Sequence, residues 1–207
     1  MHCGDQPLNV SGIVMQQDHS QLTYEQLTTN LWQQLTRAPN DRHHDWRTPV
    51  LATQGLDLAG PQARTVVLRS AEYATWVLRA YTDSRSPKCS EIAAQPRVQL
   101  SFWSKRLNWQ LRVSAIAVVD VDSDAVKAAW EKVRQSRAAG DYLSHSPPGH
   151  VQSVGDHSVT HGEPSSQKHH LAILTFKVQV MDWLALSQDG HRRARLTANG
   201  LLEWLVP

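Results

Sequence analysis

From Thr48 onward the chain is written in short runs of Val, Leu and aromatic residues separated by turn signals, and this alternation narrows the available folds more than any other feature. Residues 48–53, 63–69, 76–81, 98–103 and 108–119 each have the length and the β-branched and aromatic content of a strand. Between them stand Gly55, Asp57, Gly60-Pro61, Asp83-Ser84 and Gln95-Pro96, residues that turn or stop a chain. Residues 171–183, 192–197 and 201–206 supply closing strands, the last two joined at Asn199-Gly200, a strong hairpin turn. A parallel doubly wound sheet would need a crossover helix after nearly every strand, for which these intervals are too short. The expected fold is mainly β (α+β): a small antiparallel barrel with flanking short helices.

Three helical segments are expected. Tyr24, Leu27, Leu31 and Leu35 recur at spacings of three and four within 20–37, with Asp18 or Ser20 as cap and Pro39 as stop. Ser86-Pro87 pairs an N-cap residue with proline at the first helical position, opening a helix over 88–94 that Pro96 ends. Ser123-Asp124 opens a third, in which Val126, Trp130 and Val133 share a face until Gly140. Residues 141–169 form a polar loop around Pro147-Pro148-Gly149, too long for an ordinary connection. Residues 1–19 read as a flexible arm and 20–207 as one domain.

Composition excludes several partners. The 21 Lys and Arg against 19 Asp and Glu give a formal charge of +2, too little for nucleic acid or an anionic membrane to be a bulk partner. The longest apolar stretches, such as 115–119, run to about five residues, whereas a membrane helix needs roughly 20. Two cysteines, Cys3 and Cys89, build neither a disulfide framework nor a Cys-based zinc site, which suits a reducing, cytoplasmic location. The first 35 residues contain no Lys or Arg and no continuous apolar core, so no secretory signal is expected and Asn9-Val-Ser11 reads as an accidental glycosylation match.

Two segments concentrate chemistry. Arg64-Thr-Val-Val-Leu-Arg69 sets a cation at each end of an apolar centre. Five apart on a regular strand, the arginines point to opposite faces and serve two places, unless a bulge intervenes. The bland alternative is an ordinary strand with snorkelling ends. In Tyr81-Thr-Asp-Ser-Arg-Ser-Pro-Lys88 a strand ends and a capped helix begins. Free N–H groups, the positive end of the helix dipole, the Ser86 hydroxyl, Arg85 and Lys88 converge there, as a terminal phosphate requires. A plain helix start explains Ser86-Pro87 but not two cations at the positive dipole end. His145, His150, His157, His161, His169 and His170 lie in or beside the long loop. His157 and His161 have metal-pair spacing only on a helix, which Gly155, Gly162 and Pro164 oppose, so no metal is expected. Trp32, Trp76, Trp103 and Trp130 read first as core.

Together with Gln110, Trp183 and Arg193, these segments resemble the flavin-binding half of the pyridoxamine 5′-phosphate oxidase family over roughly residues 48–207. The resemblance assigns Arg64, Val66, Leu68 and Arg69 to the flavin strand, Tyr81 and Thr82 to the pair before the turn, and Ser86 and Lys88 to the phosphate. Pro87 stands where the family has arginine, and Arg85 is its nearest substitute. Gln110 matches the glutamine that hydrogen-bonds the flavin ring, and Trp183 with Arg193 keeps the family's ten-residue spacing. The resemblance implies a split β-barrel homodimer with FMN in a cleft built by both subunits. It is weaker at the substrate: Asp189, Gly190 and His191 occupy the family's Arg-Leu-His, and Trp130, Arg134 and Ala138 its Tyr, Arg and Ser, so only Arg134 and His191 remain as substrate contacts. Arg69 stands where a substrate-contacting lysine is expected. The reading is therefore an uncharacterised subgroup: an FMN-dependent oxidoreductase acting on a small molecule other than pyridoxamine 5′-phosphate. The alternatives are a flavin-binding module without turnover and a split barrel that binds haem or another ligand.

Overall fold

The computed structural model describes residues 22–56, 60–151 and 168–207. Helix α1 (Tyr24–Arg37) leads into a 3-10 turn at Asp45–Arg47 and then into strands β1 (Val50–Gln54), β2 (Pro61–Thr65), β3 (Leu68–Glu72) and β4 (Val77–Asp83). Helix α2 (Pro87–Ala94) precedes β5 (Arg97–Ser104) and β6 (Trp109–Asp120). Helix α3 (Asp124–Val133) and a 3-10 turn at Arg137–Tyr142 precede β7 (Leu171–Ala185), β8 (Arg192–Thr197) and β9 (Leu202–Leu205). These strands form one antiparallel sheet in the order β2-β1-β5-β6-β7-β4-β3, with β8 and β9 added beside β7. The mainly β architecture with short helices is the one expected.

The sheet is split because β7 changes partner along its length. Its first half pairs with β4 and its second half with β8, while β6 runs along the other edge throughout. The switch coincides with a bulge in which Gln179 is the extra residue, and the bulge lets both Val178 and Met181 face inward. Trp183, Phe102, Phe176, Leu51, Leu78 and Leu100 fill the interior, and Leu27, Leu31, Trp32 and Leu35 of α1 close it. A second cluster joins Val126, Trp130 and Val133 of α3 to Tyr142, Leu171 and Ile173.

Several boundaries differ from expectation. Helix α1 starts after Thr23, whose hydroxyl and Gln26 make a reciprocal capping box, rather than at Asp18 or Ser20, which lie outside the described residues. The expected strand 63–69 is two strands, interrupted at Val66-Val67 and bulged at Arg69. Trp76 is a turn residue with φ 54°, not the first residue of β4. Helix α3 ends at Val133, and Gly140 belongs to the 3-10 turn that follows. Trp103 and Trp204 are exposed, whereas Trp32, Trp46 and Trp183 are core. The arm 1–19 and the pair His157 and His161 lie outside the described residues.

Candidate functional site

Helix α2 starts as its sequence dictates, with Ser86 at the N-cap and Pro87 in the first turn. The Ser86 hydroxyl does not cap the helix; it donates to Asp83 O at 2.8 Å. The Lys88 ammonium reaches back over it, donating to Ser86 Oγ and to Thr82 Oγ1, each at 3.0 Å. Lys88 makes no ion pair among the described residues, and burial pulls its pKa below the usual lysine value, with the charge of Arg64 acting in the same direction. A half-buried ammonium held by two hydroxyls at a helix start is a cradle for an anion.

Arg64 approaches the same helix from β2. Its Nη2 donates to Glu91 Oε2 at 2.9 Å and its Nη1 to Thr53 Oγ1, while the Thr53 hydroxyl donates to the same carboxylate oxygen at 2.5 Å. Arg69 serves a different place. It is the bulge residue of β3; its guanidinium lies 5.4 Å from the centre of the Tyr81 ring, and its charge opposes the rise that burial gives the pKa of the Tyr142 hydroxyl. Its Nε is buried and makes no hydrogen bond among the described residues. The two arginines thus stand apart, Arg64 on β2 and Arg69 at the bulge of β3, parted by the break at Val66-Val67 and not by alternation along one regular strand. Val66 and Leu68 turn into the core, leaving their backbone as what they can offer a ligand.

Arg85 is engaged elsewhere. Its Nε and Nη2 hold Asp83 at 3.1 and 2.7 Å, Nη2 also donates to Ser144 O at 2.8 Å, and Nη1 donates to His145 O at 3.1 Å. Ser84 N donates to His170 O at 2.7 Å and His170 N to Tyr142 O at 2.9 Å. The turn between β4 and α2 therefore anchors both the 142–145 stretch and His170.

The remaining residues gather at the other end of the sheet. Gln110 on β6 faces outward opposite Leu184, and Trp183 is buried with its ring edge-on to Trp109 at 5.4 Å. Arg193 makes a two-pronged ion pair with Asp182, at 2.9 and 2.8 Å, and this hydrogen bonding holds the Asp182 carboxyl below its usual pKa. Asp182 also lines a surface groove of about 280 Å³ with Gln99, Arg112, Ser114, Val180 and Arg195. Thr82 pairs with Ala172 of β7 and Gln110 with Leu184, twelve residues along the strand, or roughly 40 Å at about 3.3 Å per residue. Register thus sets Thr82 and Gln110 at opposite ends of β7, whereas Arg64, through Leu51, Leu100 and Val113, falls in line with Met181. Arg134 is on the surface with Glu131 at 3.3 Å, and His191 is exposed, accepting from Ser187 N at 3.3 Å.

Sequence reasoning missed Glu91, Asp83 and Asp182, the carboxylates that hold Arg64, Arg85 and Arg193. The spacing of Asp83 from Arg85 was a visible signal; the other two pairs form only across elements.

Residues 20–120 match the model of a family described as the pyridoxamine 5′-phosphate oxidase FMN-binding domain. A pyridoxine/pyridoxamine 5′-phosphate oxidase from Thermosynechococcus vestitus is 39% identical over 83 residues, a stretch covering 40% of this chain and 37% of that enzyme. Among solved structures, PhzG from Burkholderia lata 383, in complex with tetrahydrophenazine-1-carboxylic acid, matches with a TM-score of 0.68 at 20% identity, over 89% of this chain and 96% of its own. A pyridoxamine 5′-phosphate oxidase-related, FMN-binding protein from Nostoc punctiforme PCC 73102 matches with a TM-score of 0.64 at 20% identity, over 87% and 94%.

Proposed function

Through residues 20–120 the chain belongs to the pyridoxamine 5′-phosphate oxidase FMN-binding family, and from that membership we propose that it binds FMN between two copies of itself and acts as an oxidoreductase on a small molecule. The observation that carries the cofactor is Lys88: a partly desolvated ammonium with, among the described residues, hydroxyl partners only, in the first turn of a helix and close enough to Arg64 to feel its charge. An anion placed there meets two cations and the positive end of α2. Lys88, Ser86, Thr82 and Arg64 are the residues that would hold the FMN phosphate. Tyr81, next to Thr82 on β4, and the backbone at Val66 and at Leu68, which pairs with Ala80 of the same strand, would serve the rest of the molecule. Bound FMN supplies the redox chemistry, and the chain's own task is to bind and orient it.

In this reading Gln110, Trp183 and Arg193 reach the same flavin from a second copy; Gln110 and Arg193 stand against Leu184, at the opposite end of β7 from the Ala172 that pairs with Thr82. Arg69 brings a cation without a carboxylate partner among the described residues, with Tyr81 and Tyr142 beside it, which supports an anionic group on the substrate. Pyridoxamine 5′-phosphate is not the substrate we favour: Arg134 is spent on Glu131 at the surface, and Asp189 stands in an exposed turn where the family has arginine.

The test is a comparison of FMN with riboflavin, which lacks the phosphate. Replacing Lys88 with Ala removes a charge-assisted contact worth about 1.5–3 kcal/mol, so FMN should weaken roughly tenfold to a hundredfold while riboflavin is little changed. Equal losses for both ligands would place Lys88 away from the phosphate.

A further inference from the structure

Glu91 is among the few charged residues buried in the described chain, at 5% exposure. It lies on α2 one turn beyond Lys88, and a single oxygen, Oε2, accepts from both Thr53 and Arg64. A carboxylate withdrawn from water in this way is costly unless it is well bonded, and here the bonds join three elements: α2, β1 and β2. Among the described residues β2 pairs only with β1, so Arg64 projects from an edge strand, where a long side chain has many rotamers open to it. Glu91 and Thr53 together fix its guanidinium. The two bonds use two of the five N–H donors, leaving three for another acceptor.

We propose that Glu91 is a positioning residue of the phosphate cradle: it never touches the ligand, and it acts by holding Arg64 beside the first turn of α2, where Lys88 stands. Thr53 is the second support of the same guanidinium. This assignment rests on the reading that the cradle takes the FMN phosphate, and it adds a residue that neither the flavin strand nor the phosphate motif contains. Because both bonds fall on one oxygen, a glutamine can replace them with its own carbonyl oxygen, whereas alanine cannot.

The experiment is a cycle of affinities for FMN and riboflavin in full-length Glu91→Ala, Glu91→Gln, Thr53→Val, Arg64→Ala and the Arg64→Ala/Glu91→Ala double variant. Glu91→Ala should weaken FMN about tenfold and riboflavin hardly at all, and Glu91→Gln should stay within about threefold of the parent for both. Thr53→Val should weaken FMN a few-fold, and it carries the test if Glu91→Ala does not fold. In the Arg64→Ala background, Glu91→Ala should cost FMN nothing further, since its effect passes through the missing arginine. Equal losses of FMN and riboflavin in Glu91→Ala would reduce Glu91 to support of the fold. A further loss on top of Arg64→Ala, or a Glu91→Gln as weak as Glu91→Ala, would also overturn the assignment. If Arg64→Ala leaves the FMN-to-riboflavin ratio untouched while Lys88→Ala does not, the cradle stands and the role given to Glu91 falls. If both leave it untouched, the phosphate reading itself has failed.

Discussion

The charge on Lys88 is bought at a cost in solvation, and that cost has a pH signature. Burial lowers its pKa in the folded chain below the value of about 10.4 that an unfolded lysine shows. Below the lowered value both states are charged, and folding bears the full penalty. As pH rises through the window between the two values, the folded chain releases its proton first and the penalty is relieved, so the unliganded protein gains stability across that window. A phosphate at the cradle favours the charged ammonium. Binding therefore takes up a proton in the same window, and FMN affinity should fall as pH rises through it. The ratio of FMN to riboflavin affinity isolates this effect from titration of the flavin ring. In Lys88→Arg, whose guanidinium stays charged, the ratio should be flat with pH. A flat ratio in the parent protein would remove Lys88 from the phosphate. At this scale the sequence showed Lys88, Ser86 and Thr82 because they are neighbours in the chain. It did not show the Glu91 that holds Arg64, because the pair spans 27 residues and is made only when α2 packs on β1, the strand beside β2.

Elements were legible where their signals are local. Pro87, Ser123, Asn199-Gly200 and the spacing of Leu27, Leu31 and Leu35 marked helix starts, a hairpin and a buried face, and the structure has each of them. The break at Val66-Val67 was hidden, because two β-branched residues read as the middle of a strand; Val66 N makes a last bond in the β1 register, to Pro49 O at 3.0 Å, before the chain crosses to β3. Trp76 was hidden too, since a tryptophan at positive φ is rare and depends on tertiary support: its ring packs against Trp32 at 5.6 Å, and its carbonyl accepts from Val178. The turn between β4 and α2 carries a prediction. Arg85 reads from sequence as a phosphate ligand, yet its donors hold Asp83 and the carbonyls of Ser144 and His145. Arg85→Ala should therefore speed limited proteolysis between residues 143 and 151 and leave the FMN-to-riboflavin ratio unchanged. A selective loss of FMN with no change in proteolysis would mean that Arg85 turns to the phosphate when the ligand binds.

The whole molecule poses the question that one chain does not answer. Thr82 stands against Ala172 at the start of β7, with Ser86 and Lys88 bonded beside it, while Gln110 and Arg193 stand against Leu184 near the strand's end. The outward face between them exposes Val50, Trp103 and Val118, apolar side chains that a second copy would cover. The sequence listed both groups in their order but not their separation, which is set by the register of β6 and β4 on β7. If the site is composite, flavin and dimer are one event. Sedimentation of the FMN-loaded protein at micromolar concentration, followed at once in the protein band and in the visible flavin band, tests this most directly. The account predicts a single boundary at twice the chain mass that carries both signals, with one flavin per chain. Flavin travelling with a boundary of single-chain mass would contradict it.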